Sequence, residues 1–245
     1  GSLESVVTDR LTNFGYKSSK TGFSIGSGFE FYDDLYWNTG ISSYVEKLDT
    51  DTTASASMKK QEGSYFDTFF NQTFNYDKRN QRFKTTDGYI SSFTQNIPLI
   101  SDSYTLTNAY DYKIYNEWLD ENVLSISFFG KTTNSLSGKD VKLSDRLFLP
   151  SSKLRGFESG KVGPKDGADY IGGNYAASIN IATSLAQILP NSQNTNFSIF
   201  FDAANVWGID YSSSLSDESK IRSSFGIAVD FFTPVGPLNF SLSEP

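Results

Sequence analysis

The sequence predicts an all-β fold: about ten or eleven antiparallel strands of a larger transmembrane β-barrel, incomplete here, with one long inward-folding loop. Three observations lead there. Apolar and polar residues alternate with period two through most of the chain, and no stretch carries a convincing helical period. Aromatic residues make up 16% of the 245 residues, with 21 Phe and 14 Tyr, although mean hydropathy is only −0.37. A wall that shows lipid every second side chain has that composition, and a soluble β-sandwich remains the alternative on composition alone. Finally, short turns tend to alternate with long loops, at 32–34, 48–63, 77–88, 101–103, 132–173, 190–196, 208–220 and 233–237. Short turns on one rim and long loops on the other is a barrel habit that a sandwich has no reason to keep.

Composition also removes whole classes of function. The chain has no Cys and no His, so disulfides, thiolate or imidazole metal sites and the common catalytic triads are excluded. Neither a cofactor nor a metal is expected, and the protein is not expected to be an enzyme. The carboxylate pairs Asp33-Asp34 and Asp120-Glu121 fall in turns and read as solvated rather than catalytic. No run of about 18 apolar residues offers a transmembrane helix. A net charge of −7 and a pI near 4.7 argue against a nucleic-acid partner.

In chain order, part of 3–16 reads as strand. The pattern then clears: Phe23, Ile25, Phe29 and Phe31 are separated by Ser24, Gly26, Gly28 and Glu30, a half-exposed strand. A turn at Tyr32-Asp33-Asp34 leads to a second alternating run over 37–46. Residues 48–63 are charged, polar and aperiodic, and read as a solvent loop. Strands follow over 65–76, 89–100, 104–118 and 122–131, the second of them entered through Asp87-Gly88, a tight-turn signal. Within 104–115, Tyr104, Leu106, Asn108, Tyr110, Tyr112 and Ile114 form one largely apolar set. Later strands are expected over 175–189, 197–206 and 221–232, with another beginning at Leu238. Tyr32, Tyr36, Trp37, Tyr65, Tyr89, Trp118, Trp207 and Phe232 lie near strand ends. They suit interfacial girdles or, alternatively, cross-strand pairs in a soluble core.

The stretch 145–174 breaks the alternation. It carries Gly156, Gly160, Gly163, Gly167, Gly172 and Gly173, Pro150 and Pro164, and the core Leu154-Arg155-Gly156-Phe157. Loops of this length are functional or disordered. Spaced glycines with apolar residues between them favour one packed conformation.

Leu154-Arg155-Gly156-Phe157, Gly163-Pro164-Lys165-Asp166 and Gly172-Gly173-Asn174 together resemble the long loop of the BamA/TamA/two-partner secretion transporter family of outer-membrane β-barrels. Three further stretches match in order. Tyr76-Asp77-Lys78-Arg79 through Thr86-Asp87-Gly88 is similar to a strand-to-turn segment of the family. Phe200-Phe201-Asp202-Ala203-Ala204-Asn205-Val206-Trp207 is similar to a late strand. Ile221-Arg222-Ser223-Ser224-Phe225-Gly226 through Pro234-Val235-Gly236-Pro237-Leu238 is similar to the closing hairpin. The likeness is densest over 145–245 and is mostly pattern before Tyr76.

The resemblance implies that the loop folds back into the lumen, anchored by Arg155, Gly156 and Phe157 against Asp202, and shaped by Gly163, Pro164, Asp166, Gly172 and Gly173. A buried guanidinium needs a carboxylate, and a bidentate pair fixes geometry as well as charge. Asp202 supports this independently, because an ionised group inside Ile199-Phe200-Phe201-Asp202-Ala203-Ala204 must face a lumen rather than lipid. A solvated loop arginine is the alternative for Arg155. Two departures from the family stand out: Ala182 where many members have a second acid, and Pro150-Ser151-Ser152 where a Gly-Gly pair is usual.

The resemblance further implies residence in the bacterial outer membrane and a part in folding and inserting other β-barrel proteins there. Polypeptide transport within the same family and passive porin activity are the alternatives. Expected partners are the bilayer, unfolded outer-membrane clients and accessory assembly lipoproteins. Residues 1–245 are expected to be one partial barrel domain, with 145–174 as its lumen loop. POTRA domains, the first strands and the last strand are expected to lie outside this sequence.

Overall fold

A computed structural model describes residues 1–10, 15–119, 121–188, 195–210, 215, 217, 219–233 and 236–245, with the side chains of residues 9, 10, 187, 232 and 237 outside that description. The strands are β1 (Ser2–Arg10), β2 (Tyr16–Tyr32), β3 (Leu35–Thr50), β4 (Gly63–Asp77), β5 (Gly88–Ser101), β6 (Thr105–Leu119) and β7 (Asn122–Ser135). They continue with the small pair β8 (Lys165–Asp166) and β9 (Asp169–Tyr170), then β10 (Tyr175–Ser184), β11 (Thr195–Trp207), β12 (Arg222–Thr233) and β13 (Gly236–Glu244). All but β8 and β9 form one 11-stranded sheet in chain order, every neighbour antiparallel, with β1 and β13 at its edges. The antiparallel barrel wall read from the alternation is therefore the observed architecture.

The two faces of the sheet differ as a membrane wall requires. In β11, Phe200, Asp202, Ala204 and Val206 are buried on the concave side, whereas Ile199 and Phe201 are each 44% exposed on the convex side. The same alternation leaves Phe23, Ile25, Ile41, Val45, Phe93, Ile126, Phe128, Ile179 and Ile227 exposed. Period-two pleating makes the convex face a largely apolar surface.

One rim carries the connections 33–34, 78–87, 120–121, 185–194 and 234–235; the other carries 11–15, 51–62, 102–104, 136–174 and 208–221. The expected rim asymmetry is present only in part: 78–87 and 185–194 are long for the short rim, and 102–104 is brief on the long rim. The turn expected over 190–195 and the Pro234-Val235 turn lie largely or wholly outside the described residues, as do Asp120 and the Phe232 side chain. Near the short rim, Trp37 stacks on Phe74 at 5.7 Å and meets Phe29 edge-on at 5.4 Å, while Tyr89 lies 5.8 Å from Tyr76 and 5.9 Å from Tyr112. Near the long rim, Tyr175 and Trp207 stack at 5.8 Å. Tyr65 departs from the girdle expectation. It shares the concave parity of Asp67 and packs half-buried against the inner core.

A polar row interrupts the convex face. Gln72, Gln95, Asn108 and Thr132 stand opposite one another across β4, β5, β6 and β7. They lie one pleat along from Phe74, Phe93, Tyr110 and Gly130. Gln72 Nε2 donates to Gln95 Oε1 at 2.9 Å, Gln95 Nε2 to Asn108 Oδ1 at 2.7 Å, and Asn108 Nδ2 to Thr132 Oγ1 at 3.4 Å. Amides on a lipid-facing surface are costly unless they find partners, and here they find one another.

The core lies between the concave face and the loop 136–174. One cluster joins Leu143 and Ile171 of the loop to Tyr16, Leu48, Ala54 and Met58. The other joins Leu147, Leu149, Leu154 and Val162 to Phe129, Ala176, Ala204 and Val206. The expectation of a solvent loop over 48–63 is corrected here. Its single helical turn, Ala56–Lys59, is N-capped by Ser55, and Ala54 and Met58 are buried. Aperiodic sequence hid this because the burial comes from one docked loop, not from a face. The strand expected over 175–189 ends at Ser184 and passes into a 3₁₀ turn at Ala186–Ile188.

Candidate functional site

The site is the seat of loop 136–174 on the inner wall. Arg155 lies just after a 3₁₀ turn, Ser151–Lys153, which begins at Pro150 where Lys153 N–H donates to the Pro150 carbonyl at 2.9 Å. Its guanidinium makes two parallel bonds to Asp202: Nε to Oδ2 at 2.7 Å and NH2 to Oδ1 at 2.6 Å. The Arg155 backbone N–H also donates to Oδ2, at 3.1 Å. Its guanidinium carbon stands 3.3 Å from the centroid of the Phe200 ring. The Asp202 side chain is 0% exposed and that of Arg155 is 18% exposed. A charged pair in this setting is strong because it is forked and nearly dry.

Asn180, opposite Asp202 in the β10–β11 register, completes the seat. Its Nδ2 donates to Asp202 Oδ1 and to the Lys153 carbonyl, both at 2.9 Å. Ala182 pairs with Phe200 instead. The second partner of this carboxylate is therefore a neutral amide one pleat from the position where the family pattern places an acid. Sequence reasoning missed Asn180; its inward parity and register opposite Asp202 were the available signal.

The remaining predicted residues shape the loop. Gly156, at φ +85°, lies against Ser243 of β13, and Phe157 packs on the second core cluster. Gly163 has φ +113°, and a Cβ there would come within 2.9 Å of Val206 Cβ and Cγ1. The Pro164 carbonyl accepts from Ile171 N–H at 3.1 Å, which closes the β8–β9 hairpin. Asp166 accepts a hydrogen bond from Ser55 Oγ, tying that hairpin to the 51–62 connection. Leu147 and Gly173 exchange backbone bonds at 2.8 and 3.0 Å, and Gly172 holds φ +72° beside them. Gly163→Ala is expected to weaken docking by more than ~1 kcal/mol, since both its φ and its space are unsuited to a side chain. Limited proteolysis of the loop in the full-length barrel measures this; wild-type cleavage rates in the variant would refute it.

The largest element that the sequence did not reveal is a second polar seat. Lys142 Nζ lies 2.7 Å from Glu46 Oε2 and 2.8 Å from Asp67 Oδ2, with Asp145 at 3.7 Å. The Lys142 side chain is 2% exposed and both strand carboxylates are 0% exposed. Ser18 and Ser144 hydroxyls bond Glu46, and Ser101 and Ser103 hydroxyls bond Asp67. Burial opposes the lysine charge, but the surrounding Asp145, Glu46 and Asp67 outweigh it and hold the ammonium above the ordinary lysine range. Asp67 breaks an aromatic run as Asp202 does, and that was the readable signal. Two further cations complete the docking. Arg146 NH1 donates to Asn174 Oδ1 at 3.1 Å and its NH2 to Asp210, and Lys153 Nζ meets Asp111 Oδ1 at 2.8 Å.

A sheet that is apolar outside, open between β1 and β13, with a loop locked onto its inner face by buried ion pairs, is the wall of an outer-membrane type of barrel. The model of the Omp85 superfamily domain matches residues 3–245, and the chain belongs to that superfamily. As an Omp85-superfamily barrel the chain is an outer-membrane protein, of the bacterial outer membrane. Its fold is similar to the crystal structure of BamA from Haemophilus ducreyi lacking POTRA domains 1–3, with a TM-score of 0.80 and 23% identity. The match covers 94% of this chain and 51% of that one. A SAM50-like protein of Schizosaccharomyces pombe is 33% identical over 129 residues, 49% of this chain and 27% of that protein. The chain thus spans about half of the solved structure and about a quarter of the curated relative.

Proposed function

We propose that this barrel belongs to the machinery that folds and inserts β-barrel proteins into the outer membrane. The observation that carries the reading, within an Omp85 chain, is the doubly seated loop. Leu147, Leu149, Leu154 and Val162 are buried against the wall, and Lys142 and Arg155 are clamped to it. A passive pore needs an open aqueous path lined by charged rings, whereas here the charges are spent on holding a loop. The work is physical rather than covalent: barrel clients would be offered sheet edge and a locally perturbed bilayer. Unfolded outer-membrane proteins are the proposed clients. Accessory lipoproteins and POTRA domains in the complete protein are the proposed supports.

The test is reconstitution of the full-length protein in liposomes with an unfolded β-barrel client. Faster appearance of folded, protease-resistant client is expected, with low single-channel conductance. Equal folding rates with and without the protein would sink the reading, and a large steady conductance without client folding would favour the porin. Export of client into the vesicle medium would favour polypeptide transport.

A further inference from the structure

Lys142, Arg146, Lys153, Arg155 and Lys161 of the loop each meet a carboxylate. Among the described residues Lys165 meets none, nor does the exposed Lys139; the Lys165 Nζ stands 4.3 Å from the centroid of the Tyr170 ring. It lines a pocket of about 110 Å³ between the loop and the start of β12. Lys220 and Arg222 line the same pocket from the wall side and likewise meet no carboxylate among the described residues. Asn205 and Ser219 contribute polar groups, with Asn205 Nδ2 donating to Ser219 Oγ at 3.2 Å. Among the described residues, no Asp or Glu lines it.

Three cationic residues lining one small concavity, in a chain of net charge −7, put positive charge there against the trend of the molecule. Like charges held together repel, and an anion between them removes the repulsion. An Arg fork with two Lys point charges matches a tetrahedral, multiply charged oxyanion better than a planar monoanion.

We propose that this pocket binds a phosphoryl group, carried by a lipid headgroup or by free phosphate. The bound anion bridges Lys165 on the loop to Lys220, at the end of the 208–221 connection, and to Arg222, at the start of β12, a third seat for the loop. The site goes beyond the assembly reading and stands whether or not that reading holds.

The test uses the full-length protein in phosphate-free maltoside micelles, titrated with inorganic phosphate and followed by ³¹P line width and by protease cleavage of the loop. A second arm compares nanodiscs of phosphatidylglycerol with nanodiscs of a phosphate-free galactolipid. Broadening and slowed cleavage with added phosphate support a soluble anion; slowed cleavage only in phosphatidylglycerol supports a headgroup. The double variant Lys220→Gln, Arg222→Gln is expected to weaken the effect at least ~10-fold. Lys165→Gln serves as an independent variant should that one fail to fold. Lys161→Gln, which removes an exposed charge outside the pocket, is expected to leave the effect unchanged. No response in either arm, or an unchanged response in folded Lys165→Gln or in the folded double variant, would overturn the proposal.

Discussion

Arg155→Ala is expected to release the central part of the loop and to lower assembly activity sharply. The variant strands Asp202, whose side chain is fully buried, with Asn180 and one backbone N–H as its remaining partners among the described residues. Removing one member of such a pair costs about 3–5 kcal/mol, enough to shift docking by more than about a hundredfold. The reverse change should be milder. In Asp202→Asn the orphaned group is Arg155, which keeps partial contact with solvent. Arg155→Lys should fall between, because a lysine keeps the charge and loses the fork. Hydrogen exchange at 154–157 in the full-length protein gives the docking term, and client folding gives the activity. Wild-type protection in Arg155→Ala, or Asp202→Asn proving the more severe, would show the anchor to be wrongly assigned.

Lys142→Met should be as damaging and act elsewhere. It leaves the buried Asp67 with no cation among the described residues and Glu46 with Lys20 alone, at 3.6 Å, again a cost of about 3–5 kcal/mol. The loss should appear at the start of the loop, around 141–146, and leave exchange at 154–157 less affected. Coupling between Lys142→Met and Arg155→Ala, measured as a double-mutant cycle, is expected to be small if the seats act independently. The pH dependence has a definite sign. A lysine raised above its ordinary range in the folded state contributes fully below about pH 10.4 and loses its contribution only as pH rises through the folded value. Lys142's contribution to protection at 141–146 should therefore persist from pH 7 to about 10. Burial holds the Asp145 carboxyl of the same segment above its ordinary range, so the comparison is made against Lys142→Met, and a difference between the two proteins that vanishes near neutral pH would contradict the clamp.

The wall was legible because alternation is local. Each strand announces its own two faces, so Phe201 outside and Asp202 inside follow from neighbours alone. The Arg155 seat was legible through the family resemblance, backed by the oddness of an acid in Ile199-Phe200-Phe201-Asp202. The Lys142 seat was not. Its partners lie on β3 and β4, far from it in sequence, and only the relative register of those strands brings Glu46 and Asp67 together. Burial of Ala54 and Met58 escaped for the related reason that it depends on where Leu143 and Ile171 come to rest. Neither contact leaves a period in the chain.

The amide row on the convex face bears on how such a wall enters a bilayer. A lone β4 passing into hydrocarbon would carry the Gln72 carboxamide with no partner, a cost of several kcal/mol. Beside β5 it bonds Gln95, which in turn bonds Asn108 on β6. Each strand thus removes the solvation debt of its neighbour, and the saving grows only as the row lengthens. Strand-by-strand entry is disfavoured across this sector; β4 through β7 are built to cross together, as a ribbon already zipped along its polar seam.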